Sequence, residues 1–176
     1  RLLPIASGYG TNIYNGSVVA IVAAGTVEIV TDLGNNADAF PAGVIGVFVG
    51  CTYTDPNLGT VVFRNNWPTG TVADDAQAYI VDDPDVVFMA QADGAVTQTD
   101  LGQNTNFAAV QSTTTGDTTN GNSNTAVSST TAVTATIAFR IVDFVDSPTS
   151  TVGDAFTDLL IKFNAGIHSY DNATGI

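Results

Sequence analysis

Reactive side chains are scarce in this sequence. It holds one Cys, one His, one Glu, one Lys and three Arg, against sixteen Asp. With a single His and no Gly-x-Ser-x-Gly elbow, a serine triad has no partners to assemble from. One Cys and one His cannot fill the four positions of a structural zinc site, and Cys51 has no second thiol for an intrachain disulfide. The four basic residues, Arg1, Arg64, Arg140 and Lys162, are scattered and form no phosphate-neutralising patch, so neither nucleic acid nor an anionic membrane is an expected partner. No apolar run approaches the roughly 18 residues of a membrane span, and no signal-peptide pattern is present. The chain opens at Arg1 without Met, which leaves room for a trimmed start or an upstream targeting segment.

Strand-forming surface is what the chain does have. Hydrophobic residues make up 44% of it and charged residues only 12%, so the net charge of −13 does not mark a disordered acidic tail. A domain of this length hides roughly 70% of the surface its unfolded chain exposes. Its polar surface must come from Thr, Asn, Ser, Gln and Asp, short side chains suited to packing against neighbouring proteins.

Residues 16–22 and 26–31 read as strands joined through Ala23-Ala24-Gly25. A polar loop at 32–43, with Gly34, Asn35, Asn36 and Pro41, leads to the apolar run Val44 to Tyr53. Gly46 and Gly50 inside that run predict a bulge or a close backbone approach, and Cys51 is expected to be buried and inert. Asp55-Pro56-Asn57-Leu58-Gly59 is a turn, and Thr60 to Arg64 pairs back. Gln77 to Val81 and Val86 to Ala92 flank the turn Asp82-Asp83-Pro84-Asp85. The Ser-, Thr-, Asn- and Gly-rich tract 112–131 has few apolar anchors and is expected to be an exposed loop, or an arm that orders only against a partner. Thr134 to Val145 alternates with period two and Leu159 to Phe163 forms a last strand; Ser150 to Phe156 could hold a helical turn.

Around nine closely spaced strands predict an all-β fold with little helix, an antiparallel β-sandwich or barrel, jelly-roll-like, with extended terminal arms. The expected layout is an arm over 1–14, a single β domain over 15–164 and a tail over 165–176. Phe48, Tyr79, Phe88, Phe139 and Phe144 lie in strands and read as core. Paired carboxylates at Asp74-Asp75 and in the 82–85 turn read as solvated turns ahead of a Ca²⁺ or glycosidase site. No catalytic, cofactor-binding or metal residue is assigned. The candidate interface residues are Leu2, Leu3, Pro4 and Ile5, apolar for a terminal segment, with Trp67 in its Asn-Asn-Trp-Pro loop, His168, Tyr170 and Ile176.

Several segments in order carry a resemblance. They are Ile5-Ala6-Ser7-Gly8-Tyr9-Gly10, Asn15-Gly16-Ser17-Val18-Val19, Gly46-Val47-Phe48-Val49-Gly50-Cys51, Asn66-Trp67-Pro68-Thr69-Gly70 and Ala78-Tyr79-Ile80-Val81-Asp82-Asp83-Pro84. The stretch from Lys162-Phe163-Asn164 to His168-Ser169-Tyr170, with Gly175, completes the set. Together they resemble the head decoration, or capsid cement, proteins of tailed bacteriophages, over most of the chain except 112–131. That resemblance implies a β-rich, non-enzymatic protein on the outer surface of the head. Its implied partners are the major capsid protein and further copies of itself, as a homotrimer or homodimer. A phage tail or fibre component, or a glycan-binding surface module, is the alternative expectation.

Overall fold

The computed structural model describes residues 1–35, 40–173 and 175. Part of the expected 32–43 loop, Asn36 included, and the candidate interface residue Ile176 lie outside the described residues.

The protein is all-β and antiparallel. In chain order the strands are β1 (Leu2–Pro4), β2 (Ile13–Tyr14), β3 (Val18–Ile21), β4 (Val27–Ile29), β5 (Val44–Thr54) and β6 (Val61–Arg64). They continue with β7 (Asn66–Trp67), β8 (Gln77–Val81), β9 (Phe88–Gln91), β10 (Asn104–Thr105), β11 (Phe139–Phe144) and β12 (Asp158–Phe163). A six-stranded sheet runs β1-β8-β5-β3-β4, with β6 also paired to β5; a four-stranded sheet runs β10-β11-β12-β9, and β2 pairs β7. The helical turn expected at 150–156 is absent, and the helix found among the described residues is a short 3-10 turn at Gln98–Asp100. The strand expected from Thr134 begins only at Phe139, because 135–138 are taken up by turns.

Two cores result from strand alternation. Between the sheets, Val18, Ala20 and Val44 share one core with Phe139, Ile141, Leu159, Ile161 and Phe163. On the other face of the six-stranded sheet, Leu3, Val19, Ile45, Phe48, Cys51 and Ile80 pack under Ile13 and Trp67. The central strand therefore faces apolar material on both sides, which is why Val44 to Tyr53 reads as a continuous hydrophobic run.

That run contains two one-residue irregularities. Val19 pairs Gly46 while Ala20 pairs Val44, skipping Ile45, and Phe48 pairs Ile80 while Gly50 pairs Tyr79, skipping Val49. Each skip is a β-bulge, and the interior glycines supply the backbone it needs. Gly46 sits at φ +142°, where an added Cβ would lie 2.0 Å from the Val81 carbonyl oxygen. Gly50 sits at φ +138°, with the Phe63 ring resting where its Cβ would be.

The structure bears on two expectations, the arm over 1–14 and the tract 112–131. Residues 2–4 form β1, paired in register with β8, and Leu3 and Ile5 are buried, so the start of the chain belongs to the sheet and is not a free arm. The tract 112–131 forms no strand and is mostly exposed or half-buried, as expected of a loop, but it is ordered within this chain and not only against a partner. Ser123 donates its backbone N–H to Asn15, Val127 to Gln91 and Ser128 to Asn106, and buried Gln111 anchors the tract's start. The Gln111 side-chain amide donates to the Val18 and Val30 carbonyls (3.1 and 2.9 Å) and accepts the Val18 N–H at 2.9 Å. It thus stands in for a neighbouring strand. Long-range pairing supplies what the tract's own apolar content does not.

Candidate functional site

The described surface offers an uncovered sheet face, an inter-sheet cleft and a polar cluster near the tail. The four-stranded sheet covers only one end of the larger sheet. At the other end, registers place Leu2 beside Tyr79, Pro4 beside Gln77 and Thr52, Phe63 opposite Thr52, and Val61 opposite Thr54, all on the face turned away from the second core. Leu2, Val61 and Phe63 are 52%, 71% and 58% exposed, and none of these strand residues is charged. Phe63 meets Tyr79 edge-on at 5.8 Å, seated over Gly50. Single exposed apolar residues are ordinary, whereas several on one pleated face form a patch that asks for a partner.

The expected interface residues separate on this geometry. Leu2 and Pro4 are exposed on that face, while Leu3 and Ile5 point into the second core. Trp67 is fully buried, which corrects its expected role as an exposed anchor: β7 pairs it with Ile13, its indole Nε1–H donates to the Tyr9 carbonyl at 3.2 Å, and its ring meets Tyr53 at 5.4 Å. Its Asn and Pro neighbours suggest a loop; the distant partner strand decides otherwise. His168 is also fully buried and is not a surface imidazole. Its Nδ1 accepts the Tyr170 N–H at 3.2 Å, so the proton sits on Nε2, which donates to the Ile45 carbonyl at 2.8 Å. Tyr170 is half exposed; its hydroxyl donates to Asp82 at 2.7 Å and accepts from the Arg1 guanidinium. The tail is therefore folded onto β5 and β8.

The acidic turns are engaged in local bonds. Asp83 accepts its own turn's Asp85 N–H at 2.9 Å, Asp85 pairs with Lys162 at 3.1 Å, and Asp75 accepts Thr54 Oγ1 at 2.6 Å and its N–H. The Asn57 N–H, followed by the Leu58 N–H and Arg64, holds the Asp55 carboxyl below the usual range. Bonds from the Thr131 hydroxyl and the Thr97 N–H do the same for Asp100. Burial pushes the Cys51 thiol up to about 12, as expected of an inert core cysteine. Among the described residues, no three His, Cys, Asp or Glu side chains gather to hold a metal ion, and no helix is long and apolar enough to cross a membrane.

The cleft between the sheets, about 580 Å³, was not foreseen from the sequence. No short motif marks it; it follows from how the sheets are spaced. No family model, curated protein or solved structure matches this chain.

Proposed function

We propose that this protein is a non-enzymatic structural component that docks on a protein shell, as a phage head decoration protein docks on the outside of a capsid. Its partners on this reading are the major capsid protein and further copies of the chain. One observation carries it: the apolar, uncovered sheet face built from Leu2, Val61, Phe63 and Tyr79, with a charge only at its border where Asp75 meets Thr54, in a molecule of net charge −13. Interface centres are poor in charge, whereas a solubilising surface is rich in it. Repeated shallow contacts of this kind gain strength by avidity on a lattice.

The deciding experiment is co-sedimentation with purified particles, read with electron microscopy for copy number. Phe63→Asp places a charge at the centre of the face on a side chain that is already exposed. We expect the variant to keep its melting temperature within a few degrees and to lose particle binding at least tenfold. A copy number unrelated to the capsid subunits, or unchanged binding by Phe63→Asp, overturns the proposal.

A further inference from the structure

The cleft between the two sheets supports an inference beyond a docking role. Protein interiors are close-packed, and gaps much larger than a water molecule are few and costly. Here the walls are held apart. The segment 123–127 crosses from one sheet to the other, with Ser123 bonded to Asn15 at 2.8 Å beside the larger sheet and Val127 bonded to Gln91 at 2.9 Å on the smaller. Between these anchors the Asn124 N–H donates to Thr115 at 3.0 Å and the Ala126 carbonyl accepts Ala108 at 2.9 Å, so the roof is fixed along its length. Beneath it lies a space of about 580 Å³, within the usual range of small-molecule sites.

The lining sets the chemistry. Val18 and Val47 form one wall, Phe88, Phe139 and Phe163 the other, and Phe107 adds a further ring. Polar groups border the roof and rim at Ser123, Asn124 and Thr125, while the Gln91 amide donates to the Asp158 carboxylate at 3.2 Å. Asn124 is exposed, and its side-chain amide has no partner among the described residues. None of the described residues lining the cleft is charged, although the chain as a whole is strongly acidic. A charged head group would find no ion pair in this lining, and one drawn below the rim would lose hydration with nothing to replace it.

We propose that this cleft is a binding site for an uncharged, mainly hydrocarbon small molecule carrying one hydrogen-bonding head group. The hydrocarbon lies between the valine wall and the phenylalanine wall, and the head meets the Asn124 amide at the rim.

The test uses N-phenyl-1-naphthylamine, an uncharged dye that fluoresces in apolar surroundings, titrated into the full chain at neutral pH. We expect saturable binding at one dye per chain. Octan-1-ol should displace the dye at a concentration at least tenfold below that needed with octanoate or octylammonium. Two variants fill the space from opposite sides, Ala126→Phe on the roof and Ala90→Phe on the β9 wall; each should weaken dye binding at least tenfold with its circular dichroism unchanged. Nuclear Overhauser contacts between octan-1-ol and the Val18 and Val47 methyls give a readout on the unaltered protein. Absence of saturable binding, equal displacement by octanoate, or contacts only to residues outside the cleft overturns the proposal.

Discussion

At the scale of single residues, the strongest constraints fall on groups with no reactive chemistry. Gly46 is held at a φ that side chains avoid, with Val81 oxygen in the way of any Cβ. Gly46→Ala is expected to cost at least about 1–3 kcal/mol, measured by denaturant unfolding. Gly25, equally at positive φ but with open space around it, should tolerate the same change far better. Asp100 gives a pH signature. Its carboxyl is held below the ordinary range in the folded state, mainly by the Thr131 hydroxyl at 2.6 Å. Such a group adds stability above the unfolded value of about 3.9 and loses it as pH falls through the folded value. Thr131→Val should therefore lower the melting temperature near neutrality, and the gap to the unaltered protein should narrow below about pH 4. A gap that is constant with pH would mean that Thr131 acts through packing alone.

At the scale of elements, segments poor in apolar residues are ordered by distant partners. Gln111 is the clearest case, since its amide pairs with the β3 backbone at Val18 in place of a strand. Gln111→Leu keeps the volume and leaves the Val18 N–H without its partner, at an expected cost of about 1–3 kcal/mol. Amides of residues 113–127 should then exchange faster with solvent than in the unaltered chain, as read by hydrogen exchange. Local chemistry was legible in the sequence: the Asp55 turn forms with the Asn57 N–H on its carboxylate, and Gly59 sits at φ +65°. Gly46 and Gly50 likewise announced the bulges of β5, and the buried state of Cys51 followed from its apolar neighbours. Trp67, His168 and, in its ordering, the 112–131 tract were misread for one physical reason. Each is placed by bonds to residues far away in the chain, such as Ile13, Ile45 and Asn15, and periodicity carries no information about those. Strand order was hidden for the same reason: β1 lies beside β8, and β9 beside β12.

At the scale of the whole molecule, a large negative charge surrounds a framework whose described buried side-chain nitrogens and oxygens all have partners. Like charges spread over so small a body repel, and dissolved salt screens them over about 10 Å at 0.1 M. Melting temperature should accordingly rise with sodium chloride up to about 0.5 M, and a fall would mean that the few ion pairs, such as Arg64 with Asp55, outweigh the repulsion. The double irregularity of β5 reaches further than local geometry. Counting along that strand, inward and outward trade places at Ile45 and trade back at Val49, so the reversal is confined to the pair Val47 and Phe48. An isopropyl group thereby looks toward the four-stranded sheet while a benzyl group looks away. A relative lacking both extra residues would keep the same partners, Val19 with Gly46 and Phe48 with Ile80, so the valine would still line the gap and the ring would still turn from it. This strand can thus gain or lose single residues at either bulge while the gap between the sheets keeps its lining.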